Sequence, residues 1–179
     1  MTHHRSGFTL AELMVAIAVV AILTGIALPA FSAAMANARM TATESALHSS
    51  LLRSIARAAH AGTPVVLCAA RSGTCADSVD WSSGWVAFHD LDGDRARSPA
   101  DSLIAQEGSL QGDTTLVSTS GRKRLVFQPN GGNGGSNVTF TLCDSRGSES
   151  AHSLILSNSG RLRSTRADPQ AAARCIAER

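Results

Sequence analysis

The most constraining feature of this chain is an apolar run near its N-terminus. All residues from position 13 to position 23 are apolar, and the run extends with few polar interruptions from Phe8 to Phe31. As an α-helix, this segment would be about 36 Å long, which is enough to cross the hydrocarbon core of a bilayer. No small-x-small cleavage site follows it, so the segment does not fit a secretory signal peptide. We therefore predict a membrane-spanning helix over residues 8–31.

One charged residue, Glu12, lies just inside this apolar run. A carboxylate at bilayer depth is costly and normally marks a function or a charged partner. Residues 6–13, Ser-Gly-Phe-Thr-Leu-Ala-Glu-Leu, resemble the prepilin processing motif of type IV pilins and type II secretion pseudopilins. The sequence departs mildly from the family pattern at Ala11, where isoleucine is frequent.

This resemblance implies a processing history and a set of partners. A prepilin peptidase is expected to cut between Gly7 and Phe8, which removes residues 1–7 as a leader, and to methylate the new N-terminus. Glu12 then meets the N-terminal ammonium of Phe8 on a neighbouring pilin subunit, since a buried carboxylate needs a cation. The implied location is the inner membrane, as a single-pass protein with a periplasmic C-terminal domain, and afterwards a pilus at the cell surface.

Helical periodicity continues beyond Pro29, which should kink the helix, to about His60. Gly62 and Pro64 are expected to end it. We predict that residues 32–62 form an amphipathic continuation of the first helix. The side chains expected to face a core are Phe31, Met35, Leu47, Leu51, Ile55 and Ala59.

From residue 63 to residue 179 the pattern changes to short strands separated by turns. The predicted strands cover residues 65–69, 84–89, 103–107, 115–119, 124–128, 137–143, 153–156 and 161–165. Residues 128–137 contain four Gly and three Asn and are predicted to be a flexible loop. The order of elements predicts an α+β fold, in which a long N-terminal helix packs on a C-terminal antiparallel β-sheet domain.

The four cysteines, Cys68, Cys75, Cys143 and Cys175, all lie in this β-rich region. An even number indicates two disulfides formed in an oxidising compartment such as the bacterial periplasm. Their spacings contain no Cys-x-x-Cys pair, which argues against a zinc site. We favour local pairing, Cys68 with Cys75 and Cys143 with Cys175, over buried free thiols.

The β-rich region resembles the GspH/FimT branch of minor pilins and pseudopilins. The segments that carry this resemblance are residues 81–88 (Trp-Ser-Ser-Gly-Trp-Val-Ala-Phe) with Asp90, residues 125–127 (Leu-Val-Phe), residues 140–143 (Phe-Thr-Leu-Cys) and residues 160–163 (Gly-Arg-Leu-Arg). The last segment is nearest to the FimT-type minor pilins, whose Gly-Arg-x-Arg pattern is associated with DNA binding during natural transformation.

The charge distribution agrees with a polyanion as partner. Residues 1–120 carry a net charge of −3, whereas residues 121–179 carry +5. In an extended strand, Arg161 and Arg163 would project from one face about 6.6 Å apart, with Leu162 pointing inward, and Gly160 would permit a tight turn before them. The predicted DNA-binding residues are Gly160, Arg161, Arg163, Arg166 and Arg174, with a second basic cluster at Arg122, Lys123 and Arg124.

We therefore predict a minor type IV pilin that binds extracellular DNA without sequence preference for uptake. The alternative is a purely structural subunit, either a minor pilin or an H-type pseudopilin that primes assembly of a pilus or a secretion pseudopilus. The sequence shows no nucleophile elbow or other catalytic motif, and no cofactor is expected. Asp90, Asp92 and Asp94 begin like a calcium loop, but glycine is fourth rather than sixth, so we predict a solvated turn and no metal, with calcium binding as the minor alternative.

Overall fold

The computed structural model describes residues 9–135 and 137–179. The chain divides after Ala38 into a short N-terminal unit and a larger unit that begins at Arg39. The predicted processing site, between Gly7 and Phe8, lies outside the described residues.

Two helices and nine strands make up the described chain, besides one short 3₁₀ turn. The elements are α1 (Leu10–Ala61), β1 (Val65–Arg71), β2 (Thr74–Cys75), β3 (Trp85–His89), β4 (Leu103–Glu107), β5 (Thr115–Ser118), β6 (Arg124–Phe127), β7 (Val138–Cys143), β8 (His152–Leu156), β9 (Leu162–Arg166) and α2 (Pro169–Ala177). The predicted α+β class, with its long N-terminal helix and antiparallel sheet domain, is confirmed.

The N-terminal unit contains the first part of α1, which continues through Pro29. Its large apolar side chains are exposed, and Leu10 and Phe31 remain 76% and 67% accessible. This helix is long and apolar enough to cross a membrane. Helix α1 ends before Gly62, whose positive φ of 67° lets its amide donate to the carbonyl of Ala58, as the sequence predicts.

From Arg39 onward α1 buries one face against the sheets. Leu47 and Leu51 are fully buried and Ile55 is half-buried, in agreement with the prediction. Ala59 is exposed, contrary to the prediction, because the helical repeat of 3.6 residues places Ala58 on the buried face instead. The expectation for Phe31 and Met35 was also wrong, since both remain exposed in the N-terminal unit.

The first sheet has the strand order β2-β1-β3-β4, and β6 pairs with β1. Its inner face contributes Leu67, Trp85 and Phe127 to the main core against α1. The opposite face of this first sheet carries a second apolar cluster that includes Val86 and Phe88, both fully buried. Every pairing in this sheet is antiparallel.

A segment that we call the strap, residues 90–101, connects β3 to β4. The Arg97 guanidinium donates to the carbonyl of Gly73 at the β1–β2 turn (3.0 Å), and the Arg124 guanidinium donates to the carbonyl of Arg95 (3.1 Å). These contacts tie the strap to the β1–β2 turn and to β6.

The second sheet has the strand order β5-β7-β8-β9, and all its pairings are antiparallel. Phe140 and Leu154 face the main core, where the Phe140 ring meets Trp81 edge-to-face with centroids 4.9 Å apart. The indole N–H groups of Trp81 and Trp85 donate to Ser118 Oγ and Ser50 Oγ, so both tryptophans are buried with their polar atoms satisfied.

Both predicted disulfides are present, Cys68 with Cys75 and Cys143 with Cys175. The first closes the hairpin of β1 and β2. The second joins β7 to α2, whose Cys175 and Ala172 are buried with Val117 and Ala151 in a small apolar cluster on the second sheet.

The prediction missed β2 and α2. No element was predicted after residue 165, but Pro169–Ala177 is a helix. Asp168 caps it by accepting hydrogen bonds from the amides of Gln170 and Ala171, and Pro169 occupies its first turn, where proline lacks only an N–H that would have no helical partner.

Candidate functional site

The predicted arginine pair follows a tight turn between β8 and β9. The Ser157 amide donates to the Arg161 carbonyl (2.9 Å), the Arg161 amide donates to Ser157 Oγ (3.0 Å), and the Gly160 amide donates to the Ser157 carbonyl (3.0 Å). Gly160 has a φ of 80°, which glycine adopts without strain. This turn fixes the backbone from which Arg161 and Arg163 project.

Strand β9 separates its side chains onto two sides of the second sheet. Leu162 packs against the main core, and Arg163 is exposed. Because side chains alternate along a strand, Arg163 starts from the side away from the core. Arg161 precedes β9 and is exposed, and its bonds to Ser157 continue the β8–β9 pairing by one residue. A shared face for the two arginines stays a prediction.

We call the side of the second sheet that is turned away from the main core the outer face; it carries Thr139, Ser153, Ile155, Arg163 and Thr165. Register places Thr139, Ile155 and Arg163 in one row across β7, β8 and β9, and the buried Ser153 beside the exposed Thr165 in the next row. Neighbouring strands are about 4.8 Å apart, so each row crosses roughly 10 Å of surface. The outer face therefore presents the hydroxyl groups of Thr139 and Thr165 beside the arginine pair.

Arg174 belongs to the same outer face. It lines a hollow of about 220 Å³ between α2 and the second sheet, together with Thr119, Thr139, Thr141 and Glu178 among others. Arg174 thus lies beside Thr139, and Arg163 lies in the same row of the sheet as Thr139. Glu178 offsets part of the positive charge at the α2 end.

Arg166 does not share this surface. It has the same strand parity as Leu162 and Ser164, so it projects from the opposite side of β9, and it pairs across from His152. A hollow of about 420 Å³ lies between α1 and the edge of β9, lined by Glu44, His48, Arg163 and Ser164 among others. By strand parity alone, Arg163 and Arg166 start from opposite sides of β9.

The second basic cluster, Arg122 to Arg124, lies partly beside the outer face of the second sheet. Thr119 extends the row of Thr139 and Arg163 by one strand, because its amide donates to the Thr139 carbonyl, and Arg122 follows three residues later. Lys123 forms an ion pair with Asp77 at 2.8 Å and holds the pKa of that carboxyl below its usual range. Together with the Arg124 contact to the strap, these bonds give Lys123 and Arg124 structural partners.

The arginine pair has no such partner in the described part of the chain. Within residues 9–135 and 137–179, no carboxylate oxygen lies within 4.0 Å of the guanidinium of Arg161, Arg163 or Arg174. Unpaired exposed cations on one face attract polyanions, since phosphate oxygens supply the missing charge.

The acidic turn is compact. Carboxylate oxygens of Asp90, Asp92 and Asp94 lie within 4.8 Å of one another. Asp90 is buried, and its Oδ1 accepts hydrogen bonds from the amides of Gly93 and Arg95. These bonds give the aspartate a structural task in the strap.

Glu12 has a local role that the sequence analysis overlooked. Its Oε2 accepts hydrogen bonds from the Thr9 amide (2.9 Å) and the Thr9 hydroxyl (3.0 Å), while the Glu12 amide donates to Thr9 Oγ1. This reciprocal pair is a capping box at the start of α1. The sequence signal for this capping box is Thr-x-x-Glu before an apolar run. Glu12 is exposed within this chain.

A long helix with an exposed apolar start, continued into an α+β domain, defines the class of type IV pilin-like subunits. Residues 2–28 match the family model for the prokaryotic N-terminal methylation motif. Residues 42–160 match the model of type II transport protein GspH, and the chain belongs to that family. Its role is accordingly that of a minor pilin or pseudopilin in a type IV pilus or a type II secretion system.

Solved structures share this fold. The type IV minor pilin FimU of Pseudomonas aeruginosa (strain PAO1) has a TM-score of 0.57 at 19% identity, over 76% of this chain and 92% of FimU. The minor pseudopilin EpsH of the Vibrio cholerae type 2 secretion system has a TM-score of 0.51 at 12% identity, over 72% of this chain and 97% of EpsH. No curated protein sequence is significantly similar to this chain.

Proposed function

We propose that this protein is a minor pilin that binds extracellular DNA through the outer face of its second sheet, for uptake in natural transformation. The observation that carries the proposal is the exposed pair Arg161 and Arg163, fixed by one turn and without a carboxylate partner among the described residues. Arg174 adds a third cation on the same face.

Binding would rest on phosphates rather than bases. Arginine forks match phosphate oxygens, and the hydroxyl groups of Thr139 and Thr165 can donate to the same backbone. Two to four such contacts give weak binding per subunit with little sequence preference. Several copies in one filament would gain affinity by avidity.

The test compares two double variants of the full chain in a non-ionic detergent. Arg161→Gln with Arg163→Gln should lower affinity for duplex DNA at least tenfold and flatten the slope of log K against log salt by about two, because about two phosphate contacts are lost. Arg53→Gln with Arg57→Gln is the matched control, since it removes the same charge from exposed positions on α1. Equal losses in both variants would mean that net charge, not this site, determines binding.

The second candidate is a purely structural minor pilin or H-type pseudopilin. One observation favours it: β9 is an edge strand, and charged side chains on an edge prevent unwanted strand pairing. On this view the arginines protect the edge, and the wild-type chain does not bind DNA even at low salt.

Assembly is proposed to follow the pilin route in either case. A prepilin peptidase would remove residues 1–7 and methylate Phe8, and residues 8–31 would hold the chain in the inner membrane with residues 32–62 and the β-rich domain of residues 63–179 in the periplasm. In the filament, Glu12 would leave its capping role and meet the ammonium of a neighbouring Phe8. The N-terminal methylation motif supports this route.

A further inference from the structure

The glycine-rich loop of residues 128–137 connects the first sheet, at β6, to the second sheet, at β7. Hydrogen bonds within its described residues fold it back on itself: the Gly131 amide donates to the Gln128 carbonyl, the Gln128 amide to the Gly132 carbonyl, and the Gly134 amide to the Val126 carbonyl. These bonds give the described residues 128–135 a defined turn conformation.

This loop is hydrogen-bonded to the turn that precedes the arginine pair. The Asn158 amide donates to Asn137 Oδ1 (2.8 Å), and the Asn158 carbonyl accepts from the Asn133 amide (3.0 Å). Both backbone polar groups of Asn158 are thus bonded to one loop. Asn158 lies three residues before Arg161, inside the turn that Ser157 and Arg161 close.

A close backbone approach completes the contact. A Cβ atom on Gly160 would lie 3.0 Å from the Gly131 carbonyl oxygen, which is tighter than ordinary van der Waals contact. Gly160 therefore serves to bring the turn against the loop.

We propose that Asn137 is a positioning residue for Arg161: through the Asn158 amide it holds the turn that presents the arginine to DNA phosphates. This inference deepens the proposed DNA binding and rests on it. The side-chain amide of Asn137 is exposed and outside the apolar core, so its removal should alter the turn more than the stability of the domain.

The experiment uses the full chain in non-ionic detergent with two measurements. The first is hydrogen exchange of the Asn158 amide. Asn137→Ala removes the acceptor and should accelerate this exchange about tenfold or more, whereas Asn137→Asp keeps an acceptor oxygen and should leave it slow. Asn130→Ala is the matched control, because Asn130 Oδ1 accepts the Gly132 amide within the loop and not the turn. Unchanged exchange in Asn137→Ala would overturn the positioning bond.

The second measurement is affinity for a duplex of about 30 base pairs across a salt series. Asn137→Ala should bind about three- to tenfold more weakly and its salt slope should fall by about one, because Arg161 no longer holds one phosphate. A merely structural residue would change the thermal midpoint and leave the slope unchanged. Affinity and slope equal to those of Asn130→Ala, with wild-type binding intact, would overturn the positioning role. Absence of wild-type binding would overturn the DNA function itself, independently of the exchange result.

Discussion

At the residue scale, two features require glycine at position 160, its backbone conformation and a close neighbour. Its φ of 80° lies where residues with a Cβ are strained, and the Gly131 carbonyl occupies the space that a Cβ would need. Gly121 offers a clean comparison, since it has the same φ of 80° but no heavy atom within 4 Å of the position that a Cβ would take. The two glycines therefore separate the cost of the backbone conformation from the cost of the close approach.

We expect Gly121→Ala to lower the free energy of unfolding by about 1 kcal/mol, the ordinary cost of a left-handed alanine. Gly160→Ala should cost roughly 1–2 kcal/mol more, because the turn must move away from the loop. Chemical denaturation monitored by tryptophan fluorescence measures both values, since Trp81 and Trp85 are fully buried. Equal losses would show that the contact with Gly131 carries no energy.

At the scale of elements, the strap is held by carboxylates rather than by apolar contacts alone. Asp101 is buried, and its two oxygens accept the amides of Leu91 (3.2 Å) and Ser98 (2.7 Å). The Ser98 amide, with a smaller contribution from the Leu91 amide, holds the pKa of Asp101 below its usual value. The ionised form is thus the one that fits the strap.

This arrangement makes the strap sensitive to acid. Because the folded pKa of Asp101 lies below the unfolded value of about 3.9, its full contribution is present above that pH and is lost as pH falls through the folded pKa. Asp101→Ala should lower the free energy of unfolding at pH 7 by about 1.5–3 kcal/mol, the range for hydrogen bonds to a charged group, and should reduce the loss of stability as the pH falls below about 4. Urea denaturation across this pH range measures both effects. The exposed Asp92→Ala is the control, and a variant at Asp101 with the same acid profile as wild type would contradict the assignment.

The elements also show what the sequence could predict. Period-two alternation placed the eight longer strands, with β4 correct at both ends, because alternation is a local property of the backbone. Helix α2 was missed although Asp168 and Pro169 carry a helix-start signal, because only nine residues follow a strand-like segment. Arg174 could not be placed beside Thr139, nor Lys123 paired with Asp77, because these contacts join residues distant in sequence.

At the scale of the whole molecule, Glu12 has two roles, one in helix capping and one in the proposed filament. Within one chain it completes the capping box with Thr9. In the proposed filament it meets the ammonium of Phe8 on a neighbour. A neutral glutamine can serve the first role but not the second, since the capping box accepts glutamine and the ion pair requires charge.

We therefore expect Glu12→Gln to insert into the membrane and to be processed normally, with a mature chain that begins at methylated Phe8 by mass spectrometry. Its incorporation into sheared filaments should fall at least tenfold, as for Glu12→Ala, because a buried ammonium left without its carboxylate costs several kcal/mol. Quantitative immunoblotting of filament and membrane fractions measures the effect. Wild-type filament levels of Glu12→Gln, together with a loss in Glu12→Ala, would assign the residue to helix capping alone.

The bond between Cys143 and Cys175 has a mechanical consequence. It closes a loop of the chain that contains β8, β9 and most of α2. A force applied to β9, such as a load held at Arg163, would peel an edge strand that pairs with β8 alone among the described strands. The disulfide limits this unravelling. The released loop could extend only to a doubled strand of roughly 50 Å, at about 3.4 Å per residue over half of the 32 residues that separate Cys143 from Cys175. The disulfide therefore acts as a tether that limits extension under load and lets the hairpin re-form when the tension drops.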